Sequence, residues 1–265
     1  MIKEISFYFK IWLSFAQKSF AKSFYNRVSS ILFLIGKIVR GIVAFTFFFS
    51  IFSRLTVNVS GYGLKEIILY FLIYNILVSL SDFLFREVYE FRAKVVSGDL
   101  DLVLTKPISP LFNCLLTGAD PLDLLIVLLL IIAMIVFLLL NFSVSLSMFL
   151  LFIICFVLAM LIQTAFYISV MAFGIIFLEV DHIIGIYRDI QFLAEVPIRF
   201  YKSFFQFVLT YIVPVGIAVA VPVEVLIGLF NLKNILVFSF VSLFYFMLSL
   251  YFWNYALKKY SSASS

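Results

Sequence analysis

Residue types that carry out chemistry are scarce in this sequence and form no known catalytic or metal-binding motif. The only Gly-Lys pair, Gly36-Lys37, lacks the glycine five positions earlier and the following serine or threonine of a phosphate-binding P-loop. There is one histidine, His182, and the two cysteines, Cys114 and Cys155, share no motif spacing. Neither a G-x-S-x-G nor an H-E-x-x-H sequence occurs. We therefore expect no catalytic site, no metal site and no cofactor in this chain.

Two cations interrupt the first apolar block of the sequence one helical turn apart, at Lys37 and Arg40. A cation inside a membrane is costly, so such residues are candidates for translocation or gating. The alternative is that the first span starts near residue 36 and that both side chains extend to the headgroups. The acidic residues Asp82, Asp120 and Asp123 lie next to apolar blocks, and we expect them to mark span boundaries.

The composition requires a membrane as the solvent for these residues. Of the 265 residues, 65% are apolar and only 12% are charged, whereas a soluble domain would be about half apolar and a quarter charged. Blocks long enough to cross a hydrocarbon core about 30 Å thick indicate an all-α polytopic fold with about six spans. They run over 31–53, 66–84, 122–141, 147–178, 203–222 and 234–256. The fourth block suits either one tilted helix or two short spans.

The polar segments predict how the chain is oriented. Residues 1–30 alternate lysines with aromatic residues, which is typical of an amphipathic helix on the membrane surface. Most Lys and Arg residues fall in the segments that share a side with this helix. The positive-inside rule therefore places both termini in the cytoplasm.

The longest polar segment, residues 85–121, contains one predicted helix. Apolar residues recur with helical spacing along Leu84–Val96, and Arg86, Glu90 and Lys94 follow one another at intervals of four on the opposite side. The Ser97-Gly98 pair ends this helix. The prolines at 107 and 110 predict a kinked loop after it.

A second irregular segment covers residues 183–228. It contains Pro197, Pro214 and Pro222 within a largely apolar stretch. Broken helices at membrane depth are tolerated only where they are buried in protein or line a cavity. We expect a kinked or re-entrant element here, which competes with a straight span over 203–222.

Three stretches resemble the six-span permeases of ABC-2-type ABC transporters. Residues 97–111, SGDLDLVLTKPISPL, resemble the family's G-[ED]-L-D-x-x-L-x-[KR]-P-[IV] loop after the second span. Residues 197–222 resemble its P-x-x-[FY]…x-P-V-x-x-x-x-x-P run, and residues 259–265, KYSSASS, resemble a common ending. The stretches occur in the family's order, so the resemblance covers essentially the whole chain as one transmembrane domain, 1–265.

The resemblance implies a permease in the plasma membrane of a prokaryote, and export as the direction. A cavity rich in Phe, Leu and Ile would suit a hydrophobic or amphiphilic cargo. The resemblance implies two separate ATPase subunits that bind ATP and Mg²⁺, and a second permease subunit, identical or paralogous. It also implies that a coupling region, residues 84–111, docks on the ATPase. The residues expected to couple to the ATPase are Arg86, Glu87, Glu90, Lys94, Gly98, Asp99, Asp101, Lys106 and Pro107. The residues expected to serve translocation or gating are Lys37, Arg40, Pro197, Pro214 and Pro222.

Three other functions compete with this interpretation. An ion-coupled secondary transporter would show inverted repeats and acidic residues within its spans, whereas the acids here sit almost entirely at span ends. A membrane enzyme acting on lipids would need a cluster of His, Asp or Glu at one depth. A membrane assembly protein would need no site at all. None of the segments indicates binding to nucleic acid.

Overall fold

The computed structural model describes residues 2–25, 27–53, 61–177 and 180–260. These residues form an all-α fold, as expected, and no β-strand occurs among them. Seven helices have 14 or more residues: α1 Ile2–Tyr25, α2 Arg27–Phe52, α3 Leu64–Leu84, α7 Pro121–Asn141, α8 Leu146–Phe177, α9 Val180–Leu193 and α12 Leu232–Lys259. The shorter helices are α4 Phe91–Ser97, α5 Asp99–Leu104, α6 Pro110–Leu116, α10 Ser203–Phe207 and α11 Val215–Leu226.

Five helices within the described ranges are long and apolar enough to cross a membrane: α2, α3, α7, α8 and α12. They correspond to five of the six apolar blocks. The fourth block is one helix, α8, because its 32 residues continue without a turn. At 1.5 Å per residue α8 is about 48 Å long, which exceeds the thickness of a hydrocarbon core.

Local sequence sets the ends of the spans. The Asp120 carboxylate accepts a hydrogen bond from the backbone N–H of Leu122 at 3.0 Å, and Pro121 fills the first helical position of α7. Asn231 accepts from the N–H of Lys233 at 2.9 Å at the start of α12. Two lysines occupy the last turn of α12, where they complement the helix dipole.

The helix α8 lies at the centre of the bundle and contacts α3, α9, α11 and α12. Small buried side chains on α8, such as Cys155, Ala159 and Ala172, allow close helix packing. The helix α2 lies at the edge, contacts α1, α3 and α7, and leaves most of its large apolar side chains exposed. The arrangement leaves space between α2 and the rest of the bundle.

Of the two alternatives for residues 203–222, the straight span is wrong and the kinked element is confirmed, because the chain bends by 95° between Ser203–Ile212 and Val215–Leu226. The first arm is α10 and one π-helical turn at Val208–Ile212, and the second arm is α11. The Tyr245 hydroxyl lies 2.6 Å from the carbonyl oxygen of Tyr211. Because Tyr245 is halfway along α12, the bend lies at the middle of the bundle.

The kinked loop expected after the first helix of this segment is shorter than expected: residues 99–116 contain the helices α5 and α6, and the break between them is residues 105–109, where Pro107 stands. Gly98 itself has a left-handed conformation, φ +79°, which allows the chain to turn between α4 and α5. Pro110 starts α6 and does not break it, since a proline is tolerated at the first helical position. The Ser109 hydroxyl caps this helix.

Candidate functional site

The connection between α3 and α7, residues 85–120, is anchored to the bundle by its apolar side. Phe85, Val88, Phe91 and Val95 are buried, as their helical spacing predicts. The Phe91 ring centroid lies 6.1 Å from that of Trp253 near the end of α12. This connection therefore cannot move without moving the helices beneath it.

The charged residues of the connection are paired differently from the expected Arg86–Glu90–Lys94 series. Lys94 forms an ion pair with Glu87, and Arg86 lies 3.9 Å from Asp120. The reason is that residues 86–90 form a 3₁₀-helix, in which a turn takes three residues, before α4 begins. Three residues expected to couple to an ATPase, Arg86, Glu87 and Lys94, are thus half-buried and hold the connection together.

Two close contacts make this part of the structure rigid. A Cβ atom at Gly118 would lie 2.9 Å from the backbone nitrogen of Glu87, so only glycine allows this approach. The Cys114 thiol is buried on α6, and burial raises its pKa to about 12. Burial also raises the pKa of the Tyr89 hydroxyl to about 12, and this hydroxyl donates to Asp82 over 3.1 Å.

The remaining expected coupling residues are on the surface or close to it. Glu90, Asp99, Lys106 and Pro107 are exposed, whereas Gly98 and Asp101 are half-buried. Two apolar side chains that the sequence analysis did not single out lie among them: Val96 is 61% exposed and Leu102 is 62% exposed. We name the set of Glu90, Val96, Asp99, Leu102 and Lys106 the docking surface.

A cluster of charges joins α2 to α3 and α7. Lys37 forms an ion pair with Asp123, whose side chain is completely buried, and lies 4.0 Å from Asp82. The hydroxyl of Tyr167 lies 3.4 Å from the same Asp82 carboxylate. Lys37 is therefore held by a buried partner, and Asp123 is an ion-pair partner as well as a residue in the first turn of α7.

Arg40 is placed differently from Lys37. It is exposed at the wall of a cavity of about 450 Å³ between α2, α3, α7 and the chain after α9. Lys37, Tyr74, Asp82 and Glu195 also line this cavity. The two cations of the first apolar block thus face different surroundings, one in an ion pair and one at an open space.

The three candidate gating prolines lie near the bent segment and are all buried. Pro214 precedes α11 and Pro222 lies inside it. Pro197 stands two residues before Arg199, whose guanidinium lies 2.8 Å from the carboxylate of Glu224. This ion pair fixes the second arm of the bend.

Glu224 also joins the bent segment to the start of α3. The hydroxyl of Tyr62 lies 3.5 Å from Glu224, and burial, together with the nearby carboxylate, raises the pKa of that hydroxyl. The sequence analysis missed Glu224, although a single acid in the apolar run VGIAVAVPVEVL is a signal of function or of a buried ion pair.

Nothing in the described part of the chain resembles a metal centre, since no group of three His, Cys, Asp or Glu side chains converges there. The geometry instead combines an exposed surface outside the spans, a charge cluster beneath it and a cavity inside the bundle. These parts suit the transmission of movement and the binding of a ligand.

A family described as "ABC-2 family transporter protein" matches residues 38–264. No curated protein matches this chain. Of the C-terminal stretch 259–265, which resembles a common ending of the family, residues 261–265 lie outside the described residues.

Proposed function

The chain belongs to the ABC-2 transporter family, as its sequence resemblance indicated, and is an integral membrane permease subunit of an ABC transporter; on that premise we propose that it exports hydrophobic or amphiphilic molecules. ATPase subunits in separate chains supply the energy. They bind the ATP and Mg²⁺ for which this sequence has no motif. A second permease subunit, identical or paralogous, completes the pathway.

The observation that carries the proposed coupling to ATPase subunits is the docking surface. Val96 and Leu102 belong to short helices outside the candidate spans, and yet their apolar side chains are exposed. Exposed apolar side chains ringed by charged residues are typical of a protein interface. Glu90, Asp99 and Lys106 are exposed charged residues of the same segment. An ATPase subunit is the partner that the family membership favours for this surface.

The contacts beneath the docking surface support a mechanical role. The Phe91–Trp253 contact connects α4 to α12, and the Arg86–Asp120 contact connects the 3₁₀-helix to the start of α7. Three residues further along α7, Asp123 holds Lys37 of α2. A movement of the ATPase subunits would therefore reach α2, α7 and α12 through packed side chains and ion pairs.

We further propose the topology that these contacts favour. The stretch from α9 to Arg199 starts near the end of α8 and reaches Glu224 and Tyr62 near the start of α3. It would cross the membrane as the fifth span, between α8 and α12. The bent segment would then be re-entrant, entering at Ser203, turning near Tyr245 and returning by Leu226. Six crossings place both termini in the cytoplasm of a prokaryotic cell, in agreement with the positive-inside rule.

The test uses charged substitutions on the docking surface. Leu102→Glu and Val96→Glu are expected to abolish co-purification with the ATPase subunit and the stimulation of its ATP hydrolysis. Leu229→Glu is the matched control, since Leu229 is 41% exposed and follows α11, far from the docking surface along the chain. Unchanged assembly of the Leu102→Glu and Val96→Glu variants would refute the docking proposal.

A further inference from the structure

The cavity beside α2 is lined by both polar and apolar side chains. It follows α3 from Asp82 back to Phe71, a distance of about 16 Å at the helical rise of 1.5 Å per residue. The polar set is Lys37, Arg40, Asn75, Ser79, Asp82 and Glu195, and the apolar set includes Phe45, Phe71, Leu129 and Ala133.

Glu195 is the unusual residue of this cavity. It is 5% exposed, and no hydrogen bond or ion pair to its carboxylate occurs in the part of the chain that the structure describes. Arg40, on the wall of the same cavity, acts on this carboxylate electrostatically without contacting it. The other two buried carboxylates of the described residues both have a cation, Lys37 for Asp123 and Arg199 for Glu224. A buried carboxylate with no cation in direct contact is unfavourable, so a ligand cation that contacts Glu195 would stabilise it.

The remaining charges of the cavity leave a negative balance. Lys37 is already neutralised by the buried Asp123, while Asp82 receives hydrogen bonds from two tyrosine hydroxyls. Arg40 is the only other cation in the lining, and its side chain is exposed. Four aromatic rings line the same space, and their faces attract organic cations. These rings belong to Phe45, Phe71, Tyr74 and Phe192.

We propose that this cavity binds amphiphilic organic cations, with the cationic group at Glu195 and the apolar portion along Phe45, Phe71 and Ala133. The volume of about 450 Å³ lies within the range of small-molecule sites. The proposal rests on the proposed function in one respect, because it makes such a cation the class of cargo. Binding itself needs no ATPase subunit and is tested separately from docking.

The experiment measures binding of radiolabelled tetraphenylphosphonium to the permease in lipid nanodiscs, with empty nanodiscs as background. Dodecyltrimethylammonium is expected to displace the label, whereas dodecyl sulfate is not. Glu195→Gln is expected to weaken binding by about tenfold or more, since it removes a charged contact. Asp189→Asn is the matched control, because Asp189 is exposed on α9 and does not line the cavity.

A second pair of variants fills the space without changing a charge. A Cβ at Gly41 meets no atom within 4 Å, and Gly41 lines the cavity, so Gly41→Phe is expected to block binding. Gly36 on the same helix is equally open but does not line the cavity, so Gly36→Phe is expected to leave binding unchanged. Arg40→Gln is expected to tighten cation binding, because it removes a like charge.

Three results would overturn the proposal: equal binding by Glu195→Gln and the unmodified protein, displacement by dodecyl sulfate but not by the ammonium, or loss of binding in Arg40→Gln alone. The last two would show that the label is not held as a cation at Glu195. Failure of cation binding together with normal docking and ATPase stimulation would reject the cation proposal and leave the permease assignment intact. Normal cation binding without ATPase docking would reject the docking proposal and leave the cation site intact.

Discussion

Lys37 of α2 and Asp123 of α7 form an ion pair although 86 positions separate them in the sequence. The Asp123 side chain has no exposure and Lys37 is about one quarter exposed. Both charges lie in helices that cross the membrane, where neither would be stable alone. The pair is therefore a fixed connection between an edge helix and the helix that continues from the coupling region.

Removal of one partner of this pair is expected to destabilise the protein more than removal of both. Lys37→Met leaves a buried carboxylate without a cation and should cost about 3 kcal/mol of unfolding free energy. The double variant Lys37→Met/Asp123→Leu replaces both charges with apolar groups and should recover most of that loss. Thermal unfolding in detergent measures both effects. A double variant less stable than either single variant would contradict this account.

The approach of Gly118 to Glu87 gives a prediction about the coupling region. Gly118→Ala places a methyl group against the backbone of Glu87 and should cost about 1–3 kcal/mol through the forced displacement. Gly41→Ala is the control, because its methyl group meets no neighbour and alanine favours a helix. The measurement is the midpoint of thermal unfolding for the two variants, and an equal midpoint would show that the contact is loose.

The Cys114 thiol predicts a dependence of stability on alkaline pH. Its pKa is raised from 9.0 to about 12 by burial, so the unfolded chain loses this proton first. The contribution to stability is complete below pH 9 and is lost as the pH rises from about 9 to 12, by up to about 1.4 kcal/mol per pH unit.

The comparison that isolates this effect uses Cys114→Ala, which should unfold with a smaller loss of stability between pH 8 and pH 10 than the unmodified protein. Both proteins in this comparison also carry Cys155→Ala, which removes the other buried thiol. Maleimide should label Cys114 only after unfolding. Rapid labelling of the folded protein at pH 8 would contradict the burial of this thiol.

The Arg199–Glu224 pair predicts how the bent segment is held. Arg199→Met leaves Glu224 buried without its cation and should cost about 2 kcal/mol, a value reduced because Arg199 is one third exposed. Hydrogen exchange of residues 215–226 should accelerate in this variant. Tyr62→Phe removes only the 3.5 Å contact and should have a smaller effect on the same residues. Equal protection in all three proteins would exclude a role for the ion pair.

The sequence predicted the elements that depend on local composition and missed those that depend on distant contacts. The apolar windows located α3, α7, α8 and α12 because a hydrocarbon solvent leaves a simple compositional signal. Pro110 was interpreted as a break although a proline also suits the first position of a helix. The partners of Lys37 and Glu224 in their ion pairs were not predictable, since no local pattern indicates which residue of another segment lies nearby.

In the candidate site, too, the sequence predicted the features that depend on local pattern and missed those that depend on distant contacts. The spacing of Phe85, Val88, Phe91 and Val95 correctly predicted the buried side of the coupling region, because helical periodicity is a local property. The choice of Arg86 as an exposed coupling residue did not anticipate its contact with Asp120. The exposure of Leu102 was not predictable, because an apolar residue in a largely apolar sequence gives no sign that it lies on the surface.

The most direct test of the central claim is site-specific photo-crosslinking from Leu102 in the complex of the permease with its ATPase subunits. A crosslinking amino acid at position 102 should yield one adduct with the combined mass of permease and ATPase. The same group at Leu229 should yield none. An adduct from position 229, or its absence from position 102 in an assembled and ATP-hydrolysing complex, would contradict the docking of the ATPase on this surface.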